Sequence, residues 1–107
     1  MTDKITPRAK SGAAASPEVR HNPSASRFEL QIDGQTAVLE YILQGNTITL
    51  VHTEVPAELE GRGFGSQLAR AGLEYARKNG LKVVPVCEFV AGYIERHPEY
   101  QDLVKQE

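Results

Sequence analysis

The fold is decided by residues 60–80, which read EGRGFGSQLARAGLEYARKNG. The first part is a loop with glycine at every second position, namely Gly61, Gly63 and Gly65. Beyond it, apolar residues spaced three and four apart predict an amphipathic helix that ends at Asn79-Gly80. The sequence therefore predicts a glycine loop that opens directly into the N-terminus of a helix.

This loop has the features of an anion-binding site. Glycines leave successive backbone N–H groups unshielded, and the helix adds its own unpaired N–H groups and the positive end of its dipole. Ser66 can add a hydroxyl donor, and Arg62 can meet a phosphate oxygen. Glycines also serve tight turns, so the loop alone leaves a purely structural role open.

Two common phosphate-binding loops are excluded by local sequence. No Gly-Lys-Ser/Thr follows the glycines, so the loop is not a P-loop. The third glycine of a dinucleotide-binding motif is replaced by Ser66, and a βαβ unit would be needed before it.

The segments around the loop predict an α+β fold. Residues 28–33, 36–43 and 47–53 alternate between apolar and polar side chains, which is typical of half-buried strands, and Asp33-Gly34 favours a hairpin turn between the first two. In this pattern His52 shares the inward phase of Ile48 and Leu50. Residues 82–86 form a further short strand. Residues 88–96 have helical spacing, with an apolar side made of Phe89, Val90, Tyr93 and Ile94. The predicted order is β-β-β-α-β-α, an antiparallel meander plus one more strand, backed by helices.

Composition divides the chain into a tail and one domain. Residues 1–26 hold three prolines, several serines and few large apolar side chains, so we expect a disordered tail, and residues 27–107 form the domain. The net charge of −2 offers no general attraction for nucleic acid or a membrane surface. Cys87 is the only cysteine, and no stretch resembles a signal peptide, so we expect a cytoplasmic protein.

A series of short motifs runs through the domain. They are His52-Thr53-Glu54-Val55-Pro56, Arg62-Gly63-Phe64-Gly65-Ser66-Gln67-Leu68, Ala76-Arg77, Gly80-Leu81-Lys82-Val83-Val84-Pro85, Cys87-Glu88-Phe89-Val90, Tyr93-Ile94 and Arg96-His97-Pro98-Glu99-Tyr100. In this order the motifs resemble those of the GNAT N-acetyltransferase superfamily, and within it the short YjdJ-type proteins. The resemblance covers about residues 27–104 and implies a small GNAT-like fold.

The resemblance implies that the glycine loop binds acetyl-CoA. The superfamily signature, Arg/Gln-x-x-Gly-x-Gly/Ala, falls on residues 60–65 and contacts the pyrophosphate, while the preceding strand pairs with the pantetheine near Glu54. The implied cofactor-binding residues are Val55, Gly61, Arg62, Gly63, Phe64, Gly65 and Ser66. Glu60 departs from the signature, which has Arg or Gln at this position. Its negative charge would repel a phosphate if the side chain faced the ligand. The chain also lacks the helical segments that larger GNAT enzymes place between their first two strands. Those segments normally help to build the acceptor pocket, so the sequence says little about which acceptor is used.

Three residues are candidates for catalysis, each with a structural alternative. Cys87 precedes a helix N-terminus, which can lower the pKa of a thiol, and it can act as a nucleophile, as an acid or only as a small buried side chain. Tyr93 matches the tyrosine that many GNAT enzymes use as an acid, but it also fits a core position. Glu54 can serve as a base toward the amine, or simply lie solvated at the strand end. No metal site is expected, because the three histidines have no ligand spacing.

The sequence thus supports two functional hypotheses. The first is an N-acetyltransferase that moves the acetyl group of acetyl-CoA to a primary amine of an unknown acceptor, with Cys87 or Tyr93 assisting the departure of the thiolate. The alternative is a noncatalytic module that binds CoA or acyl-CoA, or another protein. No nucleic-acid or membrane partner is expected, and the oligomeric state is open.

Overall fold

A computed structural model describes residues 18–106 of the chain. The strands are β1 (Arg20–Asn22), β2 (Arg27–Ile32), β3 (Gln35–Gln44), β4 (Thr47–Glu54) and β5 (Lys82–Pro85). The helices are α1 (Phe64–Lys78) and α2 (Glu88–Arg96), and short 3-10 turns cover Pro23–Ala25, Ala57–Leu59 and Pro98–Leu103. The predicted α+β class and the predicted order of elements from residue 27 onward are confirmed.

The strands form one sheet in the order β1-β2-β3-β4-β5. The pairs β1–β2, β2–β3 and β3–β4 are antiparallel, and β5 runs parallel to β4. A parallel neighbour requires a crossover, which α1 supplies between β4 and β5. This crossover places the glycine loop just beyond the end of β4, at the start of α1.

Strand β1 lies within the segment expected to be a disordered tail. Its three residues pair with β2, and His21 stacks on the ring of Phe28 at a centroid distance of 4.4 Å. The His21 ring also meets Tyr75 of α1 edge-on at 4.5 Å and bonds the hydroxyl of Tyr41 at 2.6 Å. The ordered region therefore extends at least to Arg20, while residues 1–17 of the expected tail lie outside the described residues.

The core lies between one face of the sheet and both helices. It is built from alternate residues of the strands and the apolar faces of the helices, including Leu30, Leu39, Ile48, Leu50, Leu68, Leu73, Val83 and Val90, all fully buried. Helix α1 approaches the sheet closely at Gly72, where a Cβ atom would lie 3.0 Å from Cδ2 of Leu39. Glycine at this position lets the helix sit directly on the strands.

Strand β4 carries a one-residue bulge. Tyr41 of β3 pairs with Leu50, but its neighbour Glu40 pairs with His52, so Val51 is an extra residue on β4. Because side chains alternate between faces along a strand, one extra residue inverts the alternation of everything that follows it.

The inversion makes the predicted inward position of His52 wrong. The His52 side chain is 55% exposed, and its Nε2 lies 3.7 Å from a carboxylate oxygen of Glu54, which is on the same outer face. Thr53 faces the core side in its place, opposite Leu39. The bulge therefore decides which side chains of β4 reach the interior of the site.

Neither helix within residues 18–106 combines the length and the apolar character that crossing a bilayer requires.

Candidate functional site

A cleft of about 510 Å³ lies between the end of β4 and the N-termini of the two helices. Its walls combine apolar side chains with the backbone of the glycine loop. The lining residues are Thr53, Val55, Leu59, Glu60, Gly61, Gly63, Phe64, Gly65, Ser66 and Phe89. The cleft thus contains six of the seven residues expected to bind a cofactor.

The glycine loop combines positive φ angles with the N-terminus of α1. Gly61 and Gly63 have φ angles of +79° and +84°, a conformation that other residues adopt only with strain. Gly63 caps α1, and the first helical bond runs from the N–H of Gln67 to its carbonyl oxygen. The N–H groups before Gln67 in the first turn therefore have no partner within the helix. These unpaired donors and the dipole of a fifteen-residue helix favour an anion at this end of the cleft.

The charged residues of the loop modify this preference. The guanidinium of Arg62 lies 5.0 Å from the centre of the Phe64 ring and 4.0 Å from the carboxylate of Asp33. Arg62 is the one predicted cofactor-binding residue outside the cleft lining, whereas Glu60 is part of the lining. The anion site therefore relies on backbone donors, with a carboxylate in its wall.

The far end of the cleft is formed where β4 and β5 separate. Their pairing stops at Leu50 and Pro85, because proline has no N–H to continue the ladder. One further bond, from the N–H of Cys87 to the carbonyl oxygen of Leu50 at 2.9 Å, turns the chain into α2. Past this point β4 continues alone to Glu54, and the gap beside it is the cleft.

Cys87 occupies the N-cap position of α2 at this separation. Its Sγ lies 3.3 Å from Oγ1 of Thr53. Burial raises the pKa of the thiol, but hydrogen bonds from Thr53 and from the N–H groups of Val90 and Phe89 lower it by more. The net pKa of Cys87 is therefore below the ordinary value of a thiol.

The other two catalytic candidates do not join this cluster. Tyr93 is buried in the core, where its ring stacks on His97 at 4.0 Å, and it does not line the cleft. Burial, first of all, raises the pKa of its phenol. The side chain of Glu54 is 73% exposed on the outer face of the sheet, beside His52. The structure thus places Cys87 directly behind Thr53 of the cleft wall, and places Tyr93 and Glu54 away from both.

Three residues of the cleft lining were missed by the sequence reasoning, namely Thr53, Leu59 and Phe89. Plain alternation along β4 predicts that Thr53 faces outward, and only the bulge turns its side chain toward Cys87. Phe89 was interpreted as part of the apolar side of α2, but it is 40% exposed and lines the cleft. An aromatic residue two positions after the cysteine, at the first turn of a helix, was the available signal for Phe89.

The sequence pattern of a known family matches the domain that carries this cleft. Residues 27–103 match the family of GCN5-related N-acetyl-transferases. The chain belongs to this family.

Curated relatives and a solved structure agree with this membership. Protein NATD1 of Xenopus tropicalis is 32% identical over 88 residues, which cover 79% of this chain and 81% of the relative. Human Protein NATD1 is 34% identical over 83 residues, covering 75% and 74%. A GCN5-like protein of Staphylococcus aureus, described as a candidate N-acetyltransferase and solved by NMR, is 31% identical with a TM-score of 0.65, covering 84% of this chain and 89% of that one.

The described part of the chain offers no cluster for a metal ion. Within residues 18–106, no three His, Cys, Asp or Glu side chains come together in a group that could hold one.

Proposed function

We propose that this chain is an N-acetyltransferase that transfers the acetyl group of acetyl-CoA to a primary amine. The observation that carries the proposal is the convergence of two helix N-termini on one cleft. The N-terminus of α1 presents unpaired N–H groups to the cleft, and the N-terminus of α2 holds the Cys87 thiol beside Thr53 of the cleft wall. An extended ligand with an anionic end and a reactive thioester fits this division of chemistry.

The cleft wall supports acetyl-CoA as the cosubstrate. The N–H groups of the first turn of α1 and the hydroxyl of Ser66 would meet the pyrophosphate oxygens. Val55 and Leu59 supply an apolar surface for the uncharged pantetheine arm. Acetyl-CoA supplies the activated acetyl group, and the protein supplies alignment and charge stabilisation.

The lowered pKa of Cys87 favours a covalent route over a role as an acid. The Cys87 thiolate attacks the thioester carbonyl carbon, a new C–S bond forms, the bond to the CoA sulfur breaks, and CoA leaves as its thiolate, which takes a proton from solvent. A neutral amine then attacks the acetylated Cys87, gives up a proton to solvent, and releases Cys87 as the thiolate. The N–H groups of Phe89 and Val90 stabilise that thiolate before and after the transfer.

A noncatalytic CoA-binding module is the second candidate function. The Glu60 carboxylate in the cleft wall favours it, because a negative group near the phosphates lowers affinity and suits reversible sensing better than turnover. In that case acetyl-CoA binds, but no acetyl group reaches the protein or an amine.

Calorimetric titration with acetyl-CoA, followed by mass spectrometry of the intact protein, separates the two candidates. The enzyme is expected to bind acetyl-CoA and gain one acetyl group, which is absent in Cys87→Ala and lost when amines are added. Tyr93→Phe is the matched control, since it removes a phenol outside the cleft and should keep the adduct. Binding without any adduct or amine product supports the module, and absence of binding at millimolar acetyl-CoA refutes both.

A further inference from the structure

The side chain of Phe89 reaches across the cleft from one helix to the other. Phe89 lies in the first turn of α2, two residues after Cys87, and its ring tip rests on Gly65 in the first turn of α1. A Cβ atom on Gly65 would lie 2.9 Å from Cζ and 3.1 Å from Cε2 of that ring. Gly65 lies within α1 and has no positive φ angle, so the backbone does not require glycine here. The absence of a side chain at Gly65 instead makes room for the Phe89 ring.

Phe89 lines the cleft two residues after the half-buried Cys87. Thr53 and Phe89 line the cleft, whereas Cys87, which bonds Thr53 at 3.3 Å, does not. The ring is 40% exposed and is attached at the first turn of a helix, so it has solvent on one side into which it can rotate. A large, partly exposed aromatic side chain at such a place is free to exchange between rotamers.

We propose that Phe89, seated on Gly65, is a gate that controls access from the cleft to the Cys87 thiol. In the proposed gate, the position seen here with the ring on Gly65 is the closed one, and an extended thioester entering from the glycine loop passes when the ring rotates away. The role of this gate in acetyl transfer rests on the proposed function. Its effect on access to the Cys87 thiol can be measured without any cofactor. Such a gate admits narrow molecules to the Cys87 thiol more readily than wide ones.

Alkylation of the single cysteine tests the gate in the full chain. Rates are measured with iodoacetamide, which is small, and with a bulky fluorescent maleimide, and the ratio of the bulky to the small rate is compared between variants. The ratio is insensitive to the fraction of thiolate, because ionisation affects both reagents alike. Phe89→Ala removes the gate and should raise the ratio severalfold over wild type.

Gly65→Ala tests the seat separately, since the new methyl group displaces the ring without deleting it. It should raise the ratio as Phe89→Ala does, and the double variant should equal Phe89→Ala alone. The matched control is Gly92→Ala in α2, where the added methyl group meets only the flexible end of Arg96 at 3.4 Å and the ratio should stay at the wild-type value. Circular dichroism verifies that each variant is folded.

The gate is refuted if Phe89→Ala leaves the ratio unchanged, or if Gly65→Ala leaves it unchanged while Phe89→Ala raises it. Acetyl-CoA titration of the same variants then addresses the proposed function by itself. If no variant binds acetyl-CoA while the alkylation ratios change as expected, the acetyltransferase proposal fails and the gate stands.

Discussion

Replacing Thr53 by valine tests the electrostatics of the site most directly. Valine has nearly the shape of threonine and suits a strand, so the change removes the hydroxyl 3.3 Å from the Cys87 sulfur and little else. The backbone N–H groups of Phe89 and Val90 that also lower the thiol pKa remain in place.

The size of the effect follows from the bond that is lost. A hydrogen bond to a charged group contributes about 1.5–3 kcal/mol, and water entering the open cleft replaces part of it. A net loss of about 1.4 kcal/mol lowers the thiolate-to-thiol ratio about tenfold. Alkylation of Cys87 by iodoacetamide near neutral pH should therefore slow about tenfold in Thr53→Val.

The complete pH profile of alkylation separates ionisation from access. In wild type the rate should rise with pH around a midpoint below that of free cysteine, because the folded protein lowers the thiol pKa. In Thr53→Val the midpoint should move to higher pH, while the plateau at high pH stays the same. Thr53→Ser keeps the hydroxyl and should retain the wild-type midpoint. A lower plateau with an unchanged midpoint in Thr53→Val would contradict this reasoning, since it would mean that Thr53 acts on access rather than on charge.

Three further predictions concern the loop, the core and the C-terminal turn. Gly63→Ala places a side chain at a φ of +84° and should cost about 1–2 kcal/mol of unfolding free energy while weakening acetyl-CoA binding; an unaltered urea midpoint would contradict the strain. Leu68→Ala empties a fully buried position and should cost about 2–5 kcal/mol in the same assay, and a loss below 1 kcal/mol would show that the core refills. Burial and the bond to Glu74 raise the pKa of Tyr100 to about 12, so its stabilisation is complete below about pH 10 and is lost as pH rises toward 12. Tyr100→Phe should flatten the decline of unfolding free energy across that window, and an equal slope in both proteins would refute it.

Local chemistry made much of the fold predictable. The alternation of residues 28–33 and 36–41 marks strands because their neighbours lie on one continuous sheet face, and the glycine loop is readable because positive φ angles demand glycine. Strand β1 was not readable, since Arg20, His21 and Asn22 show no apolar alternation and are held by pairing to β2 and by aromatic contacts of His21.

The site was predictable only in part, because its inner end depends on register and on contacts between distant residues. Cys87 could be found from its place before a helix, but Thr53 could not, because the extra residue Val51 shows only in the pairing of β4 with β3. The contact of Phe89 with Gly65 joins residues 24 positions apart on two helices, and helical periodicity alone assigns Phe89 to the core.

The bulge at Val51 gives single-codon deletions an unusual meaning in this gene. Substitutions can change the side chains that face the cleft only one at a time. Deleting Val51 would instead leave every one of them in place, because the pairs Tyr41–Leu50 and Glu40–His52 would become consecutive, with His52 still outward and Thr53 still inward. A change in the length of β4 at this one position would therefore remove the irregularity of the strand without altering the chemistry of the cleft wall.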